Sequence, residues 1–161
     1  MIDWSSKLLD KFSLEGRVGI VTGGGQGLGK VFCEAFSEMG ASVIVAELNP
    51  KTGRKVAEDI ASKGRQSLFV ETDVTSLANV QNMVDETVAR FGRVDFLMNN
   101  AGIVKWGAAE DVSEEEWRNV IDVNLNGLFY CSQAVAKVMI KQGGGNIVNI
   151  ASMSGYIVNS P

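Results

Sequence analysis

The sequence predicts an α/β fold, a doubly wound parallel sheet with helices on both faces. Three observations carry that expectation. Short apolar runs alternate with stretches of helical period in the order β-α-β-α-β-α-β-α-α-β. The runs are apolar almost throughout rather than at every second residue, as in strands buried on both faces. The first run also stops at a cluster of glycines, and a helical pattern begins immediately after them. Right-handed crossovers would join such strands.

Val18 to Thr22 reads as the first strand and Gly27 to Met39 as the first helix, stopped by Gly40. Ala41 to Ala46 forms the second strand, with Glu47 at its end. Pro50 suits the first turn of a helix that continues through Val56, Ala57 and Ile60 to a stop near Gly64. Ser67 to Val70 is the third strand, followed by Glu71, Thr72 and Asp73. Val80, Met83, Val84, Thr87 and Val88 give the stripe of a helix over Leu77 to Phe91, closed by Gly92. Val94 to Met98 is the fourth strand and runs into Asn99-Asn100-Ala101-Gly102. Ser113 and Glu116 form a capping box that opens a fourth helix. A further helical pattern covers Leu125 to Ile140, Gly143-Gly144-Gly145 ends it, and Asn146 to Ile150 is the fifth strand. Asn124 and Asn126 stand where amides weaken helices, so either two helices are separated there or a side chain has a specific task.

The glycine cluster is the stretch with chemistry in it. Gly23 can take the sharp turn off the strand, while Gly27 and Gly29 let backbone approach a ligand and the helix pack closely. Free N–H groups at the start of that helix suit a pyrophosphate. The spacing Gly-x-x-x-Gly-x-Gly predicts a longer turn than Gly-x-Gly-x-x-Gly, and no Gly-Lys-Ser/Thr ending marks a mononucleotide loop. The alternative is a glycine-rich turn with no ligand.

The composition narrows the remaining classes. The chain has 161 residues, 45% hydrophobic and 21% charged, enough for one core. A net charge of −4 gives no support to nucleic-acid binding. There is no histidine, so no metal site is expected, and Cys33 and Cys131 read as reduced core or interface thiols. Residues 1–13 mix Asp3, Lys7, Asp10 and Lys11 with apolar positions, which is neither a signal peptide nor a membrane span; they are expected to form an arm on a domain over residues 14–161. The expected compartment is the cytoplasm.

Four stretches in order resemble the short-chain dehydrogenase/reductase family: Thr22-Gly23-Gly24-Gly25-Gln26-Gly27-Leu28-Gly29, Thr72-Asp73-Val74, Asn99-Asn100-Ala101-Gly102, and Asn146-Ile147-Val148-Asn149-Ile150-Ala151-Ser152. The resemblance implies a Rossmann-type sheet of order 3-2-1-4-5, cut after the fifth strand, and an NAD-dependent oxidoreductase acting on a secondary alcohol or ketone. A faint likeness around Ser152 points to polyols, ketoses or sugar acids. Gly23, Gly25, Gln26, Gly27, Leu28 and Gly29 would hold the cofactor. Glu47, at the end of the second strand, would accept from the adenosine ribose and repel a 2′-phosphate, or else be a solvated acid. Asp73 would hold the adenine amino group with Val74 beside the ring, or else be a turn aspartate. Asn100, Ala101 and Gly102 would form the wall beside the cofactor ribose, with Gly102 leaving room for it, while Asn99 need only tie strand to loop. Asn124 would hold a water in a proton relay, Ser152 would hydrogen-bond the substrate oxygen, and Ser154 would contact substrate. Members tend to be dimers or tetramers built through the helix over Leu125 to Ile140.

The sequence departs from the family at one point. The family's proton donor is a tyrosine thirteen positions after the serine, with a lysine four positions further, and counted from Ser152 both fall beyond Pro161. Tyr130 and Tyr156 do not match that position. The chain is therefore expected to be the front portion of a complete enzyme, inactive alone. If the gene product ends at residue 161, the alternatives are a non-catalytic dinucleotide-binding protein or a partner-binding domain.

Overall fold

The computed structural model describes residues 11–153. The expectations for the first ten residues, for Ser154 and for Tyr156 lie outside them. The elements are β1 (Val18–Thr22), α1 (Gly27–Glu38), β2 (Ser42–Glu47), α2 (Pro50–Ser62), β3 (Ser67–Glu71), α3 (Leu77–Phe91) and β4 (Phe96–Asn99). They continue with a 3₁₀ turn (Ala109–Asp111), α4 (Glu114–Ile121), a π-helical segment (Asp122–Gly127), α5 (Leu128–Gln142) and β5 (Asn146–Asn149). The strands form one sheet in the order β3-β2-β1-β4-β5, every pair parallel, as the sequence predicts.

Two apolar layers hold the sheet. Ile20, Ile44, Val70 and Leu97 face Val80, Met83 and Val84 of α3 and Cys131, Val135 and Met139 of α5. Val21, Val43, Val45 and Met98 face the opposite way, against Cys33 of α1 and Val56 and Ile60 of α2. This split explains the unbroken apolar text of β1 and β2, whose side chains enter both layers. Gly19 has a packing purpose: a Cβ there would lie 2.0 Å from the Phe96 ring, which is 4.9 Å edge-on from Phe36. At the other margin β5 is covered on one face only, leaving Val148 and Ile150 in solvent.

Several boundaries differ from expectation by one to three residues, among them the ends of β4 and β5. β4 starts at Phe96 rather than Val94, because the Gln142 amide satisfies both the Val94 N–H (3.2 Å) and the Val94 carbonyl (2.6 Å). β5 ends at Asn149, although the Ile150 N–H still donates to the Asn99 carbonyl at 2.9 Å. Of the two alternatives at Asn124, separate helices are not seen: α4, the π segment and α5 follow without a gap, and only the wider π turn interrupts the α-helical pattern.

At the amino edge of the sheet, Asp95 clasps β1 to β4. It accepts from the Val18 N–H at 2.9 Å, from Arg17 at 3.0 Å and from two nitrogens of Arg93 at 2.6 and 2.8 Å. Burial alone would push its carboxyl up, but the bonds from Arg93, Val18 and Arg17 outweigh that and hold it below the usual carboxylate range. A depressed folded-state value means that the clasp stabilises fully above the unfolded value of about 3.9 and is lost as pH falls through the folded one. Asp95→Asn is expected to cost about 2 kcal/mol at neutral pH and to flatten the acid limb of stability. Urea melts from neutral to acid pH check this; parallel curves for the two proteins would refute it.

Candidate nucleotide-binding and catalytic site

The site begins where β1 ends. Gly23 has φ +64°, and a Cβ there would stand 3.0 Å from Ala101 Cα, so the turn is both left-handed and pressed on the loop after β4. Gly29 lies so close beneath it that a Cβ would meet the Gly23 carbonyl oxygen at 2.0 Å. Nothing stands within 4 Å of where a Gly27 side chain would project. The turn is held from outside by neighbours remote in sequence. The Gly25 N–H donates to Glu47 Oε2 at 3.0 Å, and the Gly24 N–H to the Ala46 carbonyl at 3.2 Å.

Helix caps separate α1 from the other helices that start from loops. Asn49 caps α2, Ser76 caps α3, and Ser113 with Glu116 forms the expected capping box on α4. Gln26, at the N-cap of α1, makes no side-chain cap, and the first turn of α1 contains no acid. The N–H groups of that turn are thus left for an external acceptor, with the positive end of the helix dipole behind them. A dinucleotide pyrophosphate fits these donors, and the glycines leave the space its approach requires.

A cavity of about 440 Å³ opens beside this helix end. Gly23, Gln26, Leu28, Glu47, Asp73, Val74, Asn100, Ala101 and Gly102 line it, together with Leu48, Thr72, Ile103 and Val123. Gly25, Gly27 and Gly29 shape the turn without lining the cavity, and neither Asn124 nor Ser152 reaches it. Leu28, Leu48 and Ile103 keep 63%, 61% and 46% of their surface exposed, which suits a ligand with flat apolar rings. Thr22, absent from the sequence-derived site, stitches the walls together. Its buried hydroxyl accepts the N–H groups of Asn100 (3.0 Å) and Ala101 (3.1 Å), while Asn100 Nδ2 donates to the carbonyls of Thr22 (3.1 Å) and Gly23 (3.2 Å).

The two acids of the cavity differ. Glu47 is no freely solvated side chain: its Oε2 takes Gly25 and its Oε1 takes the Asn49 N–H at 3.0 Å. Asp73 Oδ1 accepts from the N–H and hydroxyl of Thr75 at 2.9 and 2.7 Å, which is the turn role weighed from sequence. Its Oδ2 has no partner among the described residues, and Asp73 lines the cavity.

Asn124 has a specific task. From the π segment its Oδ1 accepts the Ile103 N–H and its Nδ2 donates to the Ile103 carbonyl, both at 2.8 Å. One amide thus grips both polar groups of a residue in the cavity wall. Gly127, in the same segment, packs on Val74, where a Cβ would come within 2.7 Å of Cγ2. Buried Asn99 donates to Asn149 Oδ1 (2.9 Å) and Ser132 Oγ (2.8 Å), joining β4 to β5 and α5, while its own Oδ1 has no partner among the described residues. Ser152 is exposed just past β5, on the carboxyl edge of the sheet.

A larger hollow, about 680 Å³, lies around Arg17, Arg93 and Asp95 at the opposite edge and contains none of the site residues. Burial pushes the thiols of Cys33 and Cys131 up to about 12, so both are inert core groups. Among the described residues no cluster of three metal-ligating side chains occurs, and no helix is long and apolar enough to cross a membrane.

Comparison with known proteins bears on the family and the fold. The short chain dehydrogenase family matches residues 17–160. An uncharacterized oxidoreductase of Thermotoga maritima is 43% identical over 143 residues, covering 89% of this chain and 56% of the relative. D-threitol dehydrogenase of Mycolicibacterium smegmatis is 35% identical over 146 residues, covering 91% of this chain and 56% of that protein. The structure of a 7α-hydroxysteroid dehydrogenase complexed with NADH and 7-oxo glycochenodeoxycholic acid superposes with a TM-score of 0.89 at 34% identity, covering 93% of this chain and 58% of that one. The chain thus spans a little over half the length of the curated relatives it matches.

Proposed function

The chain belongs to the short-chain dehydrogenase family, and from that premise we propose that it carries the cofactor cradle of an NAD-dependent oxidoreductase interconverting a secondary alcohol and a ketone. The observation that carries this reading is the uncapped start of α1 opening on a cavity that Glu47 lines. The N–H groups of the first turn of α1 hold the pyrophosphate. Glu47 receives the adenosine ribose, Asp73 through its open oxygen the adenine amino group, and Val74 the ring. Asn100, Ala101 and Gly102 wall the nicotinamide ribose. When bound, NAD supplies a nicotinamide C4 that accepts hydride from the alcohol carbon, while the hydroxyl proton leaves to a base and the carbonyl forms. Ser152 holds the substrate oxygen, Asn124 keeps the wall in register for the proton path, and Ser154 contacts substrate.

Similarity to a D-threitol dehydrogenase supports a polyol as substrate, within the polyol, ketose or sugar-acid class that the sequence suggests. The proton donor is not assigned to Tyr130, whose ring packs against the core. Leu125, Phe129 and Ile140 are exposed apolar side chains on the π segment and α5, which supports a homo-oligomer built there.

NADH formation by the full-length protein, followed by absorbance over a panel of polyols, tests the reading. Reduction of NAD with at least one secondary alcohol is expected; none with any alcohol, and no NADH oxidation with any ketone, would reject it. The cofactor preference has its own variant. The cavity lining holds no lysine or arginine among the described residues, so nothing there offsets Glu47 against a 2′-phosphate. Glu47→Ala also removes the acceptor of the Gly25 N–H. It is expected to weaken NAD by about tenfold, or roughly 1.4 kcal/mol, and to leave NADP unchanged or improved. Equal loss for both cofactors would make Glu47 a support of the turn alone.

A further inference from the structure

The π segment supports the cofactor cavity at three points, and the least obvious of them is its last residue. Gly127 is buried and has φ −62° and ψ −43°, ordinary helical values that any residue adopts. Glycine is the poorer helix former, so propensity alone favours alanine there. What excludes a side chain is Val74. A Cβ on Gly127 would stand 2.7 Å from Val74 Cγ2, 3.0 Å from its Cβ and 3.2 Å from its carbonyl oxygen. One of these atoms is backbone, and a β-branched side chain has little rotamer freedom to move the others aside.

Val74 belongs to the core layer of Val80 and Cys131, and it also lines the cavity. Two more residues of the π segment reach that cavity. Val123 lines it directly, and Asn124 grips both polar groups of Ile103, which lines it from the loop after β4. One widened turn, continuous with α4 and α5, thus supports wall residues that arrive from the loops after β3 and after β4. Such π turns are frequent where a helix has to place groups at a functional site.

We propose that Gly127 is a positioning residue for the cofactor: having no side chain, it lets Val74 seat against the helix, clear of the space that the adenine ring needs. This rests on the reading of the cavity given above. It goes beyond that reading by making the fit of the adenosine end depend on a residue that does not line the cavity. The two sides of the contact differ in stiffness. The π segment is carried by α5, whose Cys131, Val135 and Met139 are buried, and is tied to Ile103 through Asn124. Val74 stands in the connection over residues 72–76, between β3 and α3. A methyl group at Gly127 therefore displaces Val74, and the open volume beside Val74 is the cavity it lines. The loss falls on adenosine binding rather than on the hydride step.

The test uses the full-length protein with AMP, NAD and D-threitol, or another alcohol that the wild type oxidises, as probes. AMP carries the adenosine end alone. Binding is read by calorimetry, turnover by NADH absorbance and folding by thermal melt. Gly127→Ala is expected to weaken AMP and NAD alike, about tenfold, and to raise KM for NAD by that factor with kcat within about twofold of wild type. In a Val74→Ala background, where both γ carbons are gone, the same substitution is expected to cost at most about threefold. A lowered Tm with unchanged AMP affinity in the folded variant would make Gly127 a packing residue and overturn the proposal. An equal loss of affinity in both backgrounds, or a loss confined to kcat, overturns it too. If Gly127→Ala does not fold, the double variant decides: folding with the AMP affinity of Val74→Ala supports the proposal, and failure to fold overturns it. A wild type that binds AMP and NAD but oxidises no secondary alcohol rejects the oxidoreductase reading, and the AMP comparison then decides the role of Gly127. One that binds neither AMP nor NAD rejects both.

Discussion

Gly29→Val is expected to abolish NAD binding, with a loss of affinity of at least about a hundredfold. Even one added carbon would meet the Gly23 carbonyl oxygen at 2.0 Å and Asn100 Nδ2 at 2.6 Å. The first of these is backbone in a left-handed turn, so it cannot rotate away, and the second is the amide that ties the loop after β4 to that turn. Relief requires α1 to lift off the sheet, and the uncapped N–H groups would move with it. Overpacking here is expected to cost about 3 kcal/mol of stability as well. Calorimetry with NAD and a urea melt separate the two effects. Retained affinity in the folded variant would mean the glycine turn holds no ligand.

Asn124→Ala is expected to have the largest effect on turnover, lowering kcat about a hundredfold while NAD affinity changes by only a few-fold. The substitution removes both bonds to Ile103 and leaves its N–H and carbonyl to water. Asn124 does not line the cavity, so its loss acts on the position of the wall rather than on cofactor contacts. Asn124→Asp should recover little, because a carboxylate can accept from the Ile103 N–H but faces the Ile103 carbonyl with a second acceptor. Steady-state rates and cofactor titration of both variants check this; a fall in NAD affinity matching the fall in kcat would place Asn124 in the cradle instead.

Those features of the site that depend on near neighbours were legible in the sequence. The glycines after β1, Pro50 at the start of α2, the Ser113 and Glu116 box and the positions of Glu47 and Asp73 at strand ends all follow from local periodicity and turn chemistry. The unread features depend on contacts far apart in the chain. Thr22 looks like an ordinary β-branched strand residue until Asn100 and Ala101 arrive at its hydroxyl. Glu47 holds Gly25 across β1 and β2, and Gln142 replaces a strand partner of Val94 across 48 positions. The π segment showed in the sequence only as amides at Asn124 and Asn126 that weaken a helix, because Val123 and Leu125 suit an ordinary helix and periodicity cannot register one widened turn. For Asp73 a ligand contact and a turn role were both open, and the bonds of its Oδ1 to Thr75 show the turn role.

Titration of NAD and NADP into the wild-type protein by calorimetry bears most directly on the cradle formed by α1, Glu47 and the loop after β4. NAD is expected to bind at one site, with NADP weaker by at least about tenfold, or roughly 1.4 kcal/mol. Equal dissociation constants, or no heat with either cofactor from a protein shown to be folded, would contradict that assignment.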